Sequence, residues 1–320
     1  MNIIDMHCDT VLMAREAGKN LRDFDGHINI EKLKAGGCLA QCFALFIPSY
    51  DILDTVHFMD TGFRAIYSEL LGKYRDSVKS CADALRPAYS AADIIRNEKA
   101  GYISSILTVE DGALLLDDLK YLDTMYRDGV RMLALTWNYE NCIGFPNSPD
   151  DTAHKTRGLK PFGFETIEKM NSLGMIIDVS HLSEAGFFDV AKSSKKPFVA
   201  SHSCCRALCG HQRNLTDEQL RTMGDCGGIV GVNFYSKFLS DGSYDTNIED
   251  IVRHVKHIKN KAGIGSVSWG SDFDGFDESQ IEFSDYSGFP LILDALSKEF
   301  TDDEIDMISR GNFLRVFGAQ

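Results

Sequence analysis

Nothing in the chain reads as a membrane span: its longest apolar runs fall well short of the roughly 18 residues that crossing a bilayer requires. No basic segment followed by an apolar one opens the sequence, and the final stretch, NFLRVFGAQ, has no lipid-anchor character. Positive charge is in deficit. The 33 Lys and Arg against 47 Asp and Glu leave a net charge of −14, which repels polyanions and argues against nucleic-acid binding. The nine cysteines contain no C-x-x-C pair; without an export signal they read as reduced thiols, mostly core filler. Linkers rich in Pro, Gly and Ser are missing, as are short repeats. These absences point to a cytoplasmic protein with no nucleic-acid or membrane partner. With 320 residues, 44% hydrophobic and 25% charged, it is expected to fold as one domain over 1–320.

Short apolar runs alternate with longer helical stretches. The strand candidates are NIIDMH, LAQCFALFI, YISSILTVE, RMLALTW, GMIIDVSH, PFVASH, GGIVGVNF and GSVSWGSD, eight in all. Between the second and third, residues 51–74 place Ile52, Val56, Met59, Phe63, Ile66 and Leu70 at alternating spacings of four and three, which predicts one helical face. FGFETIEKMNSLG reads as a helix closed by Gly174, and TDDEIDMISRGNFLRVF as a helix capped by Thr301 or Asp302. Strands alternating with helices imply parallel pairing with right-handed crossovers, so the α/β fold expected is a (β/α)8 TIM barrel. A doubly wound open sheet is the second choice, but no G-x-G-x-x-G fingerprint supports it.

In such a barrel the active site lies at the C-terminal ends of the strands. The sequence opens MNIIDMHCDT, with Asp5, His7 and Asp9 at spacings of two, so that in an extended strand they share a face. His7 and Asp9 follow the first run and Glu110 ends the third. His181 ends the fifth, His202 the sixth and Asp272 the eighth. Singly, each reads as well as a helix or turn cap. Together they do not, because random capping would also place Ser, Asn and Thr at these ends. Three His with carboxylates form a nitrogen-and-oxygen set without thiolate, suited to Zn²⁺, with Mn²⁺, Co²⁺ or Fe²⁺ as alternatives. Five ligands are too many for one catalytic zinc, whereas two metals sharing Glu110 solve the count. His7 and Asp9 would complete one metal, His181 and His202 the other, and a bridging water or hydroxide would be the nucleophile.

The stretches DMHCDT, TVEDG, MNSLGMIIDVSHLS, ASHSCCRALCGHQRNLTDEQL, GVNFY, GSDFDG and GNFLRVF resemble the membrane (renal) dipeptidase family, zinc dipeptidases of the amidohydrolase superfamily. The resemblance spans nearly the whole chain. It implies a barrel with two zincs, ligated by His7, Asp9, Glu110, His181 and His202, with the glutamate bridging. It also implies that Asp272 is the acid/base group, and that Arg213 holds the substrate carboxylate, a task its guanidinium fork suits. Arg206 is the better candidate for an ordinary salt bridge. The expected substrate is a small dipeptide, L,D-dipeptides included, and the expected assembly a homodimer.

One position departs from the family. Members closest to the renal enzyme carry a histidine at the end of the fourth strand; here the residue is Trp137, which can donate one N–H but carries no charge. Asn138, Asn141, His154 or the metals alone are the candidates for its role. Trp137 itself, with Tyr235 of GVNFY, is read as a substrate contact. The rival functional readings are another amidohydrolase, such as a lactonase or amidase, and a non-catalytic metal-binding barrel. Phosphotriesterase-like sites use a bridging lysine on the fourth strand, and RMLALTW offers none.

Overall fold

The computed structural model describes residues 3–52, 55–57, 62–242, 245–276 and 280–320. Eight parallel strands close a barrel in chain order: β1 (Ile3–Asp5), β2 (Cys38–Phe46), β3 (Ile103–Glu110), β4 (Val130–Ala134), β5 (Ile176–Asp178), β6 (Val199–Ala200), β7 (Ile229–Val232) and β8 (Val267–Trp269). The seam closes where β1 meets β8, Asp5 opposite Trp269. The longest pairing joins β2 to β3, from Ala40 opposite Ser104 to Phe46 opposite Glu110. All eight strand candidates are therefore barrel strands, seven of them shorter than their apolar runs and β2 equal to its run in length. A short strand, Leu85–Pro87, extends the lower part of β3, and Asp245–Thr246 pairs with Gln280–Ile281 outside the barrel.

Every residue of β2 and β3 is buried, as in a sheet covered on both faces. Neighbours divide between two cores. Leu107, Leu133, Ile177 and Val230 belong to the layer under the helices, and Ile106, Met132, Ile176 and Ile229 to a second cluster inside the barrel with Met6 and Cys42. Phe313, Val316 and Phe317 of the C-terminal helix join that inner cluster. The period of two along β3 then aims Glu110 to the same side as Ile106 and Thr108. The nine cysteines are all free, seven buried and two half-buried.

The helix expected to begin near Ile52 begins at Phe63 and runs to Ser80. Gly62 before it has extended backbone, so this helix does not reach back to Ile52, which ends a separate 3-10 turn, Tyr50–Ile52. Ile66 and Leu70 are buried as read, Ile52 and Val56 pack on the core from outside the helix, and Met59 lies outside the described residues. The other two helical readings hold. Pro161–Leu173 is closed by Gly174 at φ 74°, and Thr301 caps the helix at Asp302 in a reciprocal box with Glu304.

Backbone closeness near the barrel mouth depends on Gly270. A Cβ there would lie 1.7 Å from the Ser201 carbonyl oxygen and 3.1 Å from His202 Cα. We expect Gly270→Ala to force the ends of β6 and β8 apart and to cost at least about 1–3 kcal/mol of stability. Urea unfolding of the two proteins checks this, and an unchanged midpoint would contradict the packing described.

Candidate metal centre

Four loops and one strand end bring the predicted residues to one buried spot. Glu110 is the last residue of β3; His7, Asp9, His181, His202 and Asp272 stand two to four residues beyond the ends of β1, β5, β6 and β8. All six are at most 9% exposed. The two oxygens of Glu110 face different partners. Oε2 lies 3.5 Å from His7 Nε2, and Oε1 lies 3.0 Å from His181 Nε2 and 3.5 Å from His202 Nε2. His7 Nε2 is also 3.3 Å from Asp9 Oδ2 and 3.6 Å from Asp272 Oδ1. The donor atoms of His7, Glu110 and His202, and those of His7, Asp9 and Asp272, form groups compact enough to share an ion. Asp272 thus stands among the ligand atoms, and Asp274 instead latches the following turn. Asp274 accepts from Thr10 Oγ1 at 2.5 Å and from the His27 backbone N–H at 2.6 Å.

The donor set fits a cation. His181 Nε2 and His202 Nε2 face each other at 2.9 Å, although burial and nearby Arg213 and His7 charge hold both imidazoles well below their usual pKa and hence neutral. Two neutral imidazole nitrogens this close to one another and to a carboxylate offer lone pairs that would suit a cation between them. Asp9 Oδ1 is buried with no partner. At His7 burial opposes the charge, but Glu110 and Asp9 outweigh it and push the imidazolium well up. Burial raises Glu110 to about 8, against the pull of His7, and raises Asp272 to about 6 in the same way. A metal would supply the charge that protons supply in its absence.

The supports are local. His181 Nδ1 is 2.9 Å from Asn138 Oδ1. Asn233 donates to Asp272 Oδ2 at 2.8 Å. Asp5 and Asp178, at the ends of β1 and β5, form twin clamps. Asp5 accepts from the backbone N–H and hydroxyl of Ser271 at 2.8 and 2.6 Å, and Asp178 accepts from the same groups of Ser201 at 2.9 and 2.5 Å. Each clamped serine immediately precedes a site residue, Asp272 or His202. His181 and Asp272 sit at φ 66° and 63°, a conformation costing about 1–3 kcal/mol for non-glycine residues and typical of functional positions. Gly275 passes so close that a Cβ would come 2.3 Å from Asp9 Oδ2 and 2.6 Å from Asp272 Oδ1. The spacing of ligand types carried no sign of Asn233, Gly275 or the clamps; the repeated I-I-D preceding them, at residues 3–5 and 176–178, was the one available signal.

A cavity of about 270 Å³ has Glu110, His181 and Asp272 in its lining, together with Leu12, Met13, Phe46, Trp137, Tyr235 and Phe238. Trp137 packs edge-on to Phe46 with ring centroids 4.9 Å apart, and 6.1 Å from His181. Arg213 is buried behind Phe238, its guanidinium 5.4 Å from that ring. Its Nη2 donates to the His202 carbonyl at 3.2 Å, and its Nε has no partner. Arg206, by contrast, pairs with Glu184 at 3.0 Å, as an ordinary salt bridge. Of the candidates to replace the family histidine, only Asn138 lines the cavity. Asn141 donates to Asp111 and the Leu135 carbonyl, and His154 contacts Arg206.

The sequence model of the membrane dipeptidase family (peptidase family M19) matches residues 1–320. The chain belongs to this family of metal-dependent dipeptidases. A Klebsiella pneumoniae protein encoded 5′ of pqqA is 38% identical over 245 residues, 73% of this chain and 89% of that protein. An uncharacterized dipeptidase of Schizosaccharomyces pombe is 32% identical over 98% of this chain and 79% of its own length. A metallopeptidase from Rhodobacter sphaeroides, crystallised with a phosphinate mimic of the dipeptide L-Ala-D-Ala, superposes with a TM-score of 0.89 at 27% identity, covering 100% of this chain and 99% of its own. Among the described residues no helix is long and apolar enough to cross a membrane.

The charge balance of this dipeptidase centre sets a pH dependence. Above about pH 6.5 His181 and His202 are neutral whether the chain is folded or not. Glu110 and His7, both raised, hold protons in the folded metal-free protein that the unfolded chain releases. Stability of the metal-free protein is therefore expected to fall as pH rises through about 8, and metal to abolish the fall. Thermal midpoints between pH 6.5 and 8.5, with and without metal, check this; a flat metal-free profile would contradict it.

Proposed function

We propose that this dipeptidase is a dinuclear zinc enzyme that hydrolyses dipeptides with a free C-terminal carboxylate, L,D-dipeptides among them. One observation carries the reading: Glu110 turns each of its oxygens to a different set of histidines, as a carboxylate shared by two ions would. His7 and Asp9 would hold one ion, His181 and His202 the other. When bound, such ions supply Lewis acidity toward the scissile carbonyl and acidify water. Zn²⁺ suits the nitrogen-and-oxygen set, and Mn²⁺, Co²⁺ or Fe²⁺ are the alternatives to be compared.

The remaining work falls to the chain. Asp272, raised to about 6 by burial against the pull of His7, is poised to change protonation near neutrality. It takes the proton of the attacking water as the water oxygen joins the carbonyl carbon, then passes it to the amine nitrogen as the C–N bond breaks. Asn233 keeps one Asp272 oxygen occupied, so the other faces the reaction. Arg213 is a buried cation with no carboxylate partner among the described residues, and burial lowers its pKa despite Asp272 and Glu110. A substrate carboxylate would complete it. That places the C-terminal residue beside Tyr235 and Phe238, and the N-terminal residue against Leu12, Met13, Phe46 and Trp137. Trp137 then acts as an apolar wall rather than as a substitute for a charged histidine. The L-Ala-D-Ala mimic held by the Rhodobacter sphaeroides relative supports L,D-dipeptides as substrates here.

Zinc titration of metal-stripped protein, followed by a dipeptide panel, tests the reading. Two equivalents of zinc per chain and cleavage of free dipeptides are expected, and saturation at one equivalent would remove the dinuclear site. Asp272→Asn should lower kcat by about 10²–10⁴-fold with both metals retained, since the amide cannot take the proton. Full turnover by that variant would exclude Asp272 as the acid/base group.

Blocking the substrate carboxylate tests Arg213 separately. Dipeptide amides should bind more weakly than free dipeptides by about 2–5 kcal/mol, the cost of leaving a buried charge unpaired, and Arg213→Ala should erase the difference. Equal kcat/KM for both substrates in the unaltered enzyme would refute the assignment.

A further inference from the structure

We infer that Asp178 and Ser201 are positioning residues that fix the tautomer of His202, so that its Nε2 presents a lone pair to the metal centre. The inference rests on reading His202 as a metal ligand. It follows from counting hydrogens. Asp178 Oδ1 accepts the backbone N–H groups of Ser180 and Ser201, each at 2.9 Å, and Oδ2 accepts the Ser201 hydroxyl at 2.5 Å. A hydroxyl has one hydrogen, and here the carboxylate takes it. Ser201 Oγ is left with lone pairs only, and His202 Nδ1 lies 2.7 Å from it. Nδ1 must therefore carry the ring hydrogen and Nε2 must be bare. Ser180 locks the same unit from the other side. Its Oγ is 3.3 Å from Ser201 Oγ and accepts from the His202 backbone N–H at 3.1 Å. Asp178, Ser180, Ser201 and His202 are all buried, so water does not compete for these hydrogens.

The chain of donors has a direction, and one isosteric change reverses it. In Asp178→Asn the amide oxygen is still required by the two backbone N–H groups. The amide nitrogen then faces Ser201 Oγ and donates to it. The serine hydrogen is released toward His202 Nδ1, which moves the ring hydrogen to Nε2, where it blocks the metal. Ser201→Ala only removes the constraint and leaves both tautomers available. The two substitutions should therefore not add: without the hydroxyl, residue 178 has no route to the ring.

Zinc affinity of the full-length protein, measured by chelator competition at fixed pH, tests this. Ser201→Ala should weaken zinc binding about 10–100-fold, the range found for groups that orient metal ligands. Asp178→Asn should weaken it further, and the double variant should match Ser201→Ala alone. Asp178→Asn binding zinc like the unaltered protein, or costing the same with and without Ser201, would overturn the inference. If the Asp178 variant does not fold, ¹⁵N-histidine NMR of the unaltered metal-free protein decides. His202 should show the Nδ1–H tautomer, and the Nε2–H form would overturn the inference. Failure of the unaltered protein to bind zinc would overturn the metal reading, and this inference with it. Normal zinc binding with indifferent variants would overturn only this inference.

Discussion

Glu110 ends its strand inside the barrel mouth, 3% exposed, with burial raising its pKa to about 8 against the pull of His7. A carboxylate in that position is costly unless positive charge lies beside it. Imidazole nitrogens face both of its oxygens, and two of the three rings are held neutral. Without metal, a proton on Glu110 and a charged His7 meet that need. The donor atoms of His7, Glu110 and His202 also lie close enough together to hold a cation, which would supply the same charge.

The supports around Glu110 carry this into the backbone. His181 and Asp272 accept left-handed conformations, and Gly270 and Gly275 allow contacts that any side chain would block. Stability is given up at these positions to bring four loops and one strand end to one point. The twin aspartate–serine clamps oppose that cost, because each ties the loop after one strand to the end of its neighbour. Fixing a loop by the strand-end carboxylate of its neighbour leaves the site residue one position further on with little freedom, as a preorganised centre requires.

The cavity is mixed in chemistry. Its lining combines the ionisable Asp9, Glu110, His181 and Asp272 with apolar side chains, and the buried guanidinium of Arg213 lies 5.4 Å from the ring of Phe238, one of the lining residues. In a protein with a net charge of −14, a buried cation without a carboxylate partner among the described residues is a local exception. Trp137 packs edge-on to Phe46 within the cavity lining.

Much of this was legible in the order of residues. The eight strands and their parallel closure followed from apolar runs alternating with helical periods, since burial on both faces leaves that pattern. The six ionisable residues stood out because barrel strands are apolar and their C-terminal ends are not. Helix starts were less secure: Ile52 and Val56 matched the helical spacing of Ile66 and Leu70, yet the chain at Gly62 is extended and the α-helix takes in only the later residues. Other features were decided only by the tertiary structure, because they are relations between segments far apart in sequence. Which oxygen of Glu110 faces which histidine, the embrace of Ser201 by Asp178 and of Ser271 by Asp5, and the seat of Arg213 behind Phe238 are of this kind. So is the separation of Asp272 from Asp274, which share one short motif: Asn233 and the ligand cluster engage the first, while Thr10 and His27 engage the second. Residue type determined which chemistry was available to the chain, and closure of the barrel determined which of those groups meet.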